Sequence, residues 1–125
     1  MFNVSDTEIL TRDNAKIATR IYRPSNQKNL KTIVFYHGGG FVIGTLDLYD
    51  NMCTGIAKKT NALVISVDYR LAPEYKFPTP VNDCYDALLW AAKNCQNWGG
   101  NPDELTVMGD SAGGNLTTVV SLLAR

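Results

Sequence analysis

The sequence predicts an α/β fold in which helices cover both faces of a mostly parallel sheet of about five strands. Three near-continuous apolar runs rich in β-branched residues are typical of buried parallel strands, and they are Thr32–Tyr36, Leu63–Val67 and Leu105–Met108. Segments of helical periodicity alternate with these runs, which implies right-handed crossovers between parallel strands. The 125 residues suffice for one domain but fall short of a typical complete α/β enzyme, roughly 200–250 residues long. We therefore expect residues 1–125 to form a single domain, or part of one.

The first strands of the chain are predicted to form an antiparallel hairpin at an edge of the sheet. Two runs, Thr7–Leu10 and Lys16–Tyr22, flank a short polar turn, and apolar and polar residues alternate in the second run. Such alternation is typical of a strand with one wetter face. Pro24 then opens a polar stretch, Ser25–Asn29, which predicts a loop before the first parallel strand.

Helices are predicted from the spacing of apolar residues between the strands. Over 47–59 an apolar residue recurs every four positions, and two lysines near the end suit the negative end of the helix dipole. The next helix begins with Thr79 as a cap and Pro80 at the first helical position, and its apolar stripe continues to Cys95. A third helix is expected from Ala112 onward, directly after the last predicted strand.

The composition argues against several classes of function. Twelve basic side chains balance twelve acidic ones, so the chain offers no basic field to nucleic acid or to an anionic membrane. No apolar run approaches the roughly 18 residues of a membrane span, and the first residues lack the pattern of a secretory signal, so we expect a cytoplasmic protein. The cysteines are odd in number, without metal-ligand spacing, and are predicted to be free core thiols; they are Cys53, Cys84 and Cys95.

Ser111 lies in the strand–turn–helix setting that is typical of a nucleophile elbow. It is the centre of the pentapeptide Gly109-Asp110-Ser111-Ala112-Gly113, between the last apolar run and the predicted third helix. An elbow exposes the serine hydroxyl, and glycines on either side relieve crowding where the backbone turns sharply. Taken alone, the motif has an ordinary alternative, a serine that caps a helix.

A second Gly-rich segment follows the first parallel strand. His37 is followed there by Gly38, Gly39 and Gly40, and a turn of this kind can aim backbone N–H groups at a developing oxyanion. A plain flexible turn is the alternative when this segment is taken alone. A phosphate-binding loop is excluded, because neither Gly-rich segment is followed by Gly-Lys-Ser or Gly-Lys-Thr.

Together with a third segment, Asp68–Glu74 (DYRLAPE), these motifs resemble the hormone-sensitive-lipase-like branch of α/β-hydrolase esterases. The resemblance implies a partial α/β-hydrolase fold and hydrolysis of small or short-acyl carboxylic esters, with no metal or organic cofactor. It also implies that Ser111 is the nucleophile and that the amides of Gly39, Gly40 and Ala112 form the oxyanion hole. The family's cap helices are absent, as is everything from the sixth strand onward, including the triad acid and histidine.

The single histidine of the chain has two interpretations. In the family that the chain resembles, the residue at His37 shapes the glycine turn, and we favour that role. Its strand is expected to neighbour the strand before Ser111, so a surrogate base is the alternative. Asp110 is interpreted as structural, as are the charges of Asp68, Arg70 and Glu74, which organise a loop.

The last predicted strand would have one unpaired edge, and an unpaired strand edge favours association with another chain. In a complete hydrolase this strand has neighbours on both sides, so we expect the chain to pair with another copy, to receive a complementary C-terminal fragment, or to be a piece of a longer protein. Two classes of function remain open: an ester hydrolase acting on a small-molecule substrate, and a catalytically incompetent hydrolase-like fragment or binding module. An Asp or Glu and then a His after Arg125 would favour the first class.

Overall fold

A single mixed β-sheet organises the parts of the chain that the computed structural model describes, which are residues 2–37, 45–69 and 79–109. Its strands are β1 (Asn3–Leu10), β2 (Lys16–Arg23), β3 (Leu30–Tyr36), β4 (Leu63–Val67) and β5 (Gly100–Gly109). Their order across the sheet is β1-β2-β4-β3-β5. This arrangement confirms the partial α/β fold with about five strands and an N-terminal hairpin.

Parallel and antiparallel pairings are equally represented in this sheet. β4 pairs with β3 and β3 pairs with β5 in parallel, whereas β1 pairs with β2 and β2 with β4 in antiparallel fashion. The sequence did not indicate that the hairpin would join the sheet through β2 beside β4. Because β3 lies between β4 and β5, the strand before His37 is indeed a neighbour of the strand before the predicted elbow.

Within the described residues, helices occur in the two connections where the periodicity predicted them. They are α1 (Thr45–Leu48), α2 (Asp50–Thr60) and α3 (Thr79–Asn94), and a 3₁₀ turn (Cys95–Trp98) continues α3. Tyr49 separates α1 from α2, so the helix predicted over 47–59 is divided. Asn61, with φ at 53°, ends α2 in the left-handed region. The third predicted helix, from Ala112, lies outside the described residues.

The core lies on both faces of the sheet, which explains the continuous apolar runs. Val34 and Tyr36 of β3 belong to the cluster that contains Ala87 of α3. The intervening Phe35 faces the other way and belongs to the cluster that contains Ala57 of α2. Successive side chains of a strand point to opposite faces, so burial of both faces favours apolar residues at nearly every position.

The three cysteines are free and buried, as the sequence predicted. Burial raises the pKa of the Cys53 thiol to about 11. A thiol of this kind remains protonated at neutral pH and is a poor nucleophile. Cys53 therefore acts as a small apolar core residue between α2 and the sheet.

Side-chain atoms pack closely against Gly100, and this packing leads to a testable prediction. A Cβ on Gly100 would lie 2.5 Å from Thr32 Oγ1, 2.8 Å from Leu63 Cδ2 and 2.9 Å from Cys95 Cβ. Gly100→Ala should therefore lower the free energy of unfolding by about 1–3 kcal/mol, measured by urea denaturation. Gly55→Ala is the matched control: nothing lies within 4 Å of its added Cβ, and the change should stabilise helix α2 by about 0.5–1 kcal/mol. Equal stability of the two variants would contradict the close packing at Gly100.

Candidate active site

The carboxyl ends of β3, β4 and β5 meet at one edge of the sheet, where the predicted catalytic segments begin. Tyr36, the last residue of β3, pairs with Val67 at the end of β4 and with Gly109 at the end of β5. The chain leaves β3 into the His37 segment and leaves β5 into the predicted elbow. Both Gly-rich segments therefore begin from adjacent strand ends, a place where open α/β sheets commonly bind ligands.

The structure describes two of the site residues that the sequence predicted, His37 and Gly109. The others lie outside the described residues, and they are Gly38, Gly39, Gly40, Asp110, Ser111, Ala112 and Gly113. Arg70 and Glu74 of the third motif also lie outside, whereas Asp68 is described.

His37 is buried in an aromatic and acidic environment. Its side chain is 1% exposed, and Nε2 lies 3.6 Å from Oδ1 of Asp68. The imidazole stacks on the ring of Tyr69, with centroids 4.4 Å apart and planes inclined by 17°, and the ring of Tyr49 lies 6.0 Å away. These contacts come from the segments that follow β4 and from the residue between α1 and α2. They hold the His37 imidazole at the carboxyl end of β3, where the first Gly-rich segment begins.

Tyr69 also contacts the main chain of His37, a feature that sequence reasoning missed. Its hydroxyl donates a hydrogen bond of 2.6 Å to the main-chain carbonyl of His37. Burial raises the pKa of Tyr69 well above its usual value, so the hydroxyl keeps its proton. The available signal was a tyrosine two positions after a nearly continuous apolar strand, at the carboxyl end of the sheet.

A cluster of charges ties the hairpin to the helices that follow the first Gly-rich segment. Arg20 of β2 contacts Asp6 of β1 at 2.7 Å and Asp47 of α1 at 2.8 Å. It also lies 3.4 Å from Asp50 of α2, which accepts a 2.7 Å hydrogen bond from the Tyr22 hydroxyl. The hydrogen bond from Arg20 lowers the pKa of Asp6, while partial desolvation opposes this shift. The cluster fixes the start of both helices relative to the sheet.

Removal of Arg20 should weaken the fold in a pH-dependent way. Asp6, Asp47 and Asp50 are substantially exposed, so Arg20→Met should cost only about 1 kcal/mol of unfolding free energy at pH 7. Because Arg20 lowers the folded-state pKa of Asp6, this stabilisation is complete above the ordinary aspartate pKa of about 4 and is lost as the pH falls through the folded-state value.

Urea unfolding at pH 7 and pH 3 measures this effect, with Lys16→Met, an exposed lysine of the same strand, as the control. The difference between Arg20→Met and wild type should shrink at pH 3, whereas the control should differ little from wild type at either pH. A difference that stays constant between the two pH values would show that Arg20 stabilises the fold through packing alone.

Other features of the described residues do not add to this site. Residues 2–37, 45–69 and 79–109 contain no group of three or more His, Cys, Asp or Glu side chains arranged to hold a metal ion. None of the helices within those ranges combines the length and apolarity that crossing a bilayer demands. A cleft of about 600 Å³, lined by Ile33, Ala62 and Glu104 among others, lies toward the amino ends of the parallel strands, away from His37.

Comparisons with known proteins agree with this geometry. Residues 33–125 match the alpha/beta hydrolase fold family. Carboxylesterase NlhH of Mycobacterium tuberculosis (strain CDC 1551 / Oshkosh) is 44% identical over 110 residues, which are 87% of this chain and 34% of that protein. An arylesterase of Saccharolobus solfataricus is 42% identical over 113 residues, which are 90% of this chain and 37% of that protein.

The solved structures include an esterase of Pyrobaculum calidifontis that superposes with a TM-score of 0.92 at 46% identity. The superposition covers 98% of this chain and 40% of that one, so the chain spans well under half the length of such relatives. From the matched residues and the sheet topology, we conclude that the chain belongs to the alpha/beta hydrolase fold family, within its hormone-sensitive-lipase-like branch, whose members include carboxylesterases.

Proposed function

We propose that the protein hydrolyses small or short-acyl carboxylic esters, with Ser111 as the nucleophile and the amides of Gly39, Gly40 and Ala112 as the oxyanion hole. The observation that carries the proposal is the parallel pairing of β3 with β5, in which Tyr36 lies opposite Gly109. This register starts the two Gly-rich segments side by side. A nucleophile and its oxyanion donors must lie within a few ångströms of one carbonyl group. Two segments that begin at adjacent strand ends can meet this condition, which supports the assignment.

In the proposed reaction, Ser111 Oγ attacks the ester carbonyl carbon while a general base removes its proton. The carbonyl oxygen becomes an oxyanion that the backbone N–H groups stabilise, and each such donor contributes about 2.7–4 kcal/mol to the transition state. Collapse of the intermediate expels the alcohol, which takes the proton, and leaves an acyl-enzyme that water then hydrolyses. Residues 112–125 contain no Asp, Glu or His, so a triad acid and histidine from a further segment or a partner chain are part of the proposal.

We assign His37 to shaping of the oxyanion turn rather than to proton transfer. Its burial, its stack on Tyr69 and its proximity to Asp68 support this role, because each contact restrains the imidazole. A surrogate base would have to reach the serine hydroxyl. Gly109 and Gly113 are assigned to the sharp turn of the elbow, and Asp110 to its structure.

The alternative that the sequence leaves open is a catalytically incompetent hydrolase-like fragment or binding module. β5 forms one edge of the sheet within the described residues, which supports pairing with a second copy or with a complementary C-terminal fragment. Sedimentation showing a stable, non-aggregating monomer would contradict that association. A cytoplasmic location stays a prediction of the sequence.

The proposed function is tested by the initial rates of hydrolysis of p-nitrophenyl esters with acyl chains of increasing length. We expect turnover above the buffer rate, highest for the shortest acyl groups. The rate should be the same after treatment with EDTA, since the proposed chemistry uses no metal ion. A purified, folded sample that hydrolyses none of these esters would favour the module without turnover.

A further inference from the structure

We propose that Tyr69 is a positioning residue for the oxyanion turn, an inference that rests on the proposed function. Tyr69 lies two positions beyond β4, and its side chain is directed toward the end of the neighbouring strand β3. It makes two different contacts with one residue. The hydroxyl donates to the His37 carbonyl at 2.6 Å, and the ring stacks on the His37 imidazole at 4.4 Å.

The hydrogen bond restrains the main chain at the first residue of the HGGG motif. The carbonyl of His37 belongs to the peptide group that links this residue to Gly38. A peptide group is planar, so a bond that restrains its carbonyl also restrains the orientation of the plane that leads into the turn. An oxyanion hole made of backbone amides depends on the orientation of peptide planes, because those groups are its donors.

The surroundings make this bond a persistent one. Tyr69 is 2% exposed and His37 is 1% exposed, so water competes little for the carbonyl. Burial raises the pKa of Tyr69, which keeps the hydroxyl a donor. Asp68, the residue before Tyr69, lies 3.6 Å from His37 Nε2 and approaches the same residue from the same segment. Consecutive residues after β4 thus contact the side chain and the main chain of His37.

A second buried tyrosine supplies a matched control. Tyr36 is 0% exposed, and its hydroxyl donates a hydrogen bond of 2.6 Å to a main-chain carbonyl, that of Cys84 in α3. Tyr36→Phe and Tyr69→Phe therefore remove the same atom from similar environments. The first change frees a carbonyl of a helix, whereas the second frees the carbonyl at the start of the turn. Similar losses of thermal stability are expected for both.

The test compares wild type, Tyr69→Phe and Tyr36→Phe in three measurements. These are kcat and KM for a short-acyl p-nitrophenyl ester, inhibition by a trifluoromethyl ketone that forms an oxyanion on the enzyme, and hydrogen exchange of the peptide covering residues 37–40. For Tyr69→Phe we expect kcat to fall by about 10-fold, inhibition to weaken by about the same factor, and KM to change by less than about 2-fold. Exchange over 37–40 should become faster. Tyr36→Phe should keep wild-type values in all three measurements.

Equal behaviour of the two variants would overturn the proposal, because Tyr69 would then act only through stability. If wild type hydrolyses no ester, the proposed function fails, and hydrogen exchange alone decides the role of Tyr69. Faster exchange over 37–40 in Tyr69→Phe, but not in Tyr36→Phe, would still support its hold on the turn. Unchanged exchange would refute that hold, whatever the activity.

Discussion

Replacing Ser111 by alanine is expected to lower kcat/KM for a short-acyl ester by at least about 10⁴-fold in any preparation that turns the ester over. The proposed acyl-enzyme forms on the serine oxygen, and alanine offers no atom to replace it. A residual rate above water is compatible with the account, because oxyanion donors alone retain some catalysis. Initial rates at several ester concentrations give kcat/KM.

The control for this prediction is Ser25→Ala, a change in the loop between β2 and β3. It removes a hydroxyl from the chain at a distance from the proposed site and should leave kcat/KM unchanged. Activity that persists in Ser111→Ala at the wild-type level would show that another group, or a contaminating esterase, hydrolyses the ester. Thermal unfolding of both variants verifies that they are folded.

Ile65→Ala is expected to cost about 2–5 kcal/mol of unfolding free energy. Ile65 lies at the centre of β4, which is flanked by β2 and β3, and its side chain is 0% exposed. The surrounding residues come from two strands and from α3, so the cavity left by alanine cannot be filled by one local movement. Urea unfolding measures the loss.

Val4→Ala is the control for that change. Val4 lies in the edge strand β1 and is 42% exposed, so its truncation should alter the free energy of unfolding by no more than about 0.5 kcal/mol. A loss at Ile65 as small as the loss at Val4 would contradict the position of β4 at the centre of the sheet.

The strands could be predicted because burial on both faces leaves a direct mark on the sequence. Val34 and Phe35 face opposite helices, and the run that contains them is almost continuously apolar. The division of the first predicted helix at Tyr49 has no such mark. The antiparallel pairing of β2 with β4 also leaves no local pattern in the sequence, since pairing depends on residues that are distant in the chain.

The candidate site could be predicted only as far as local motifs extend. His37 and Gly109 lie at adjacent strand ends, as the motifs and the expected strand order indicated. The bond from Tyr69 to His37 joins residues 32 positions apart, and Arg20 meets Asp47 across 27 positions. Contacts over such separations depend on the folded topology. The role of Ser111 stays a prediction, because it lies outside the described residues.

The central claim is that a nucleophile at Ser111 and an oxyanion turn after β3 form one site. Intact-mass spectrometry of the folded protein after incubation with a fluorophosphonate tests this most directly, with Ser111→Ala and Ser25→Ala measured in parallel. The account predicts one adduct per chain in wild type and in Ser25→Ala, and none in Ser111→Ala. No adduct on folded wild type would mean that Ser111 lacks an activating base, which favours the module without turnover, and an adduct that persists in Ser111→Ala would contradict the account.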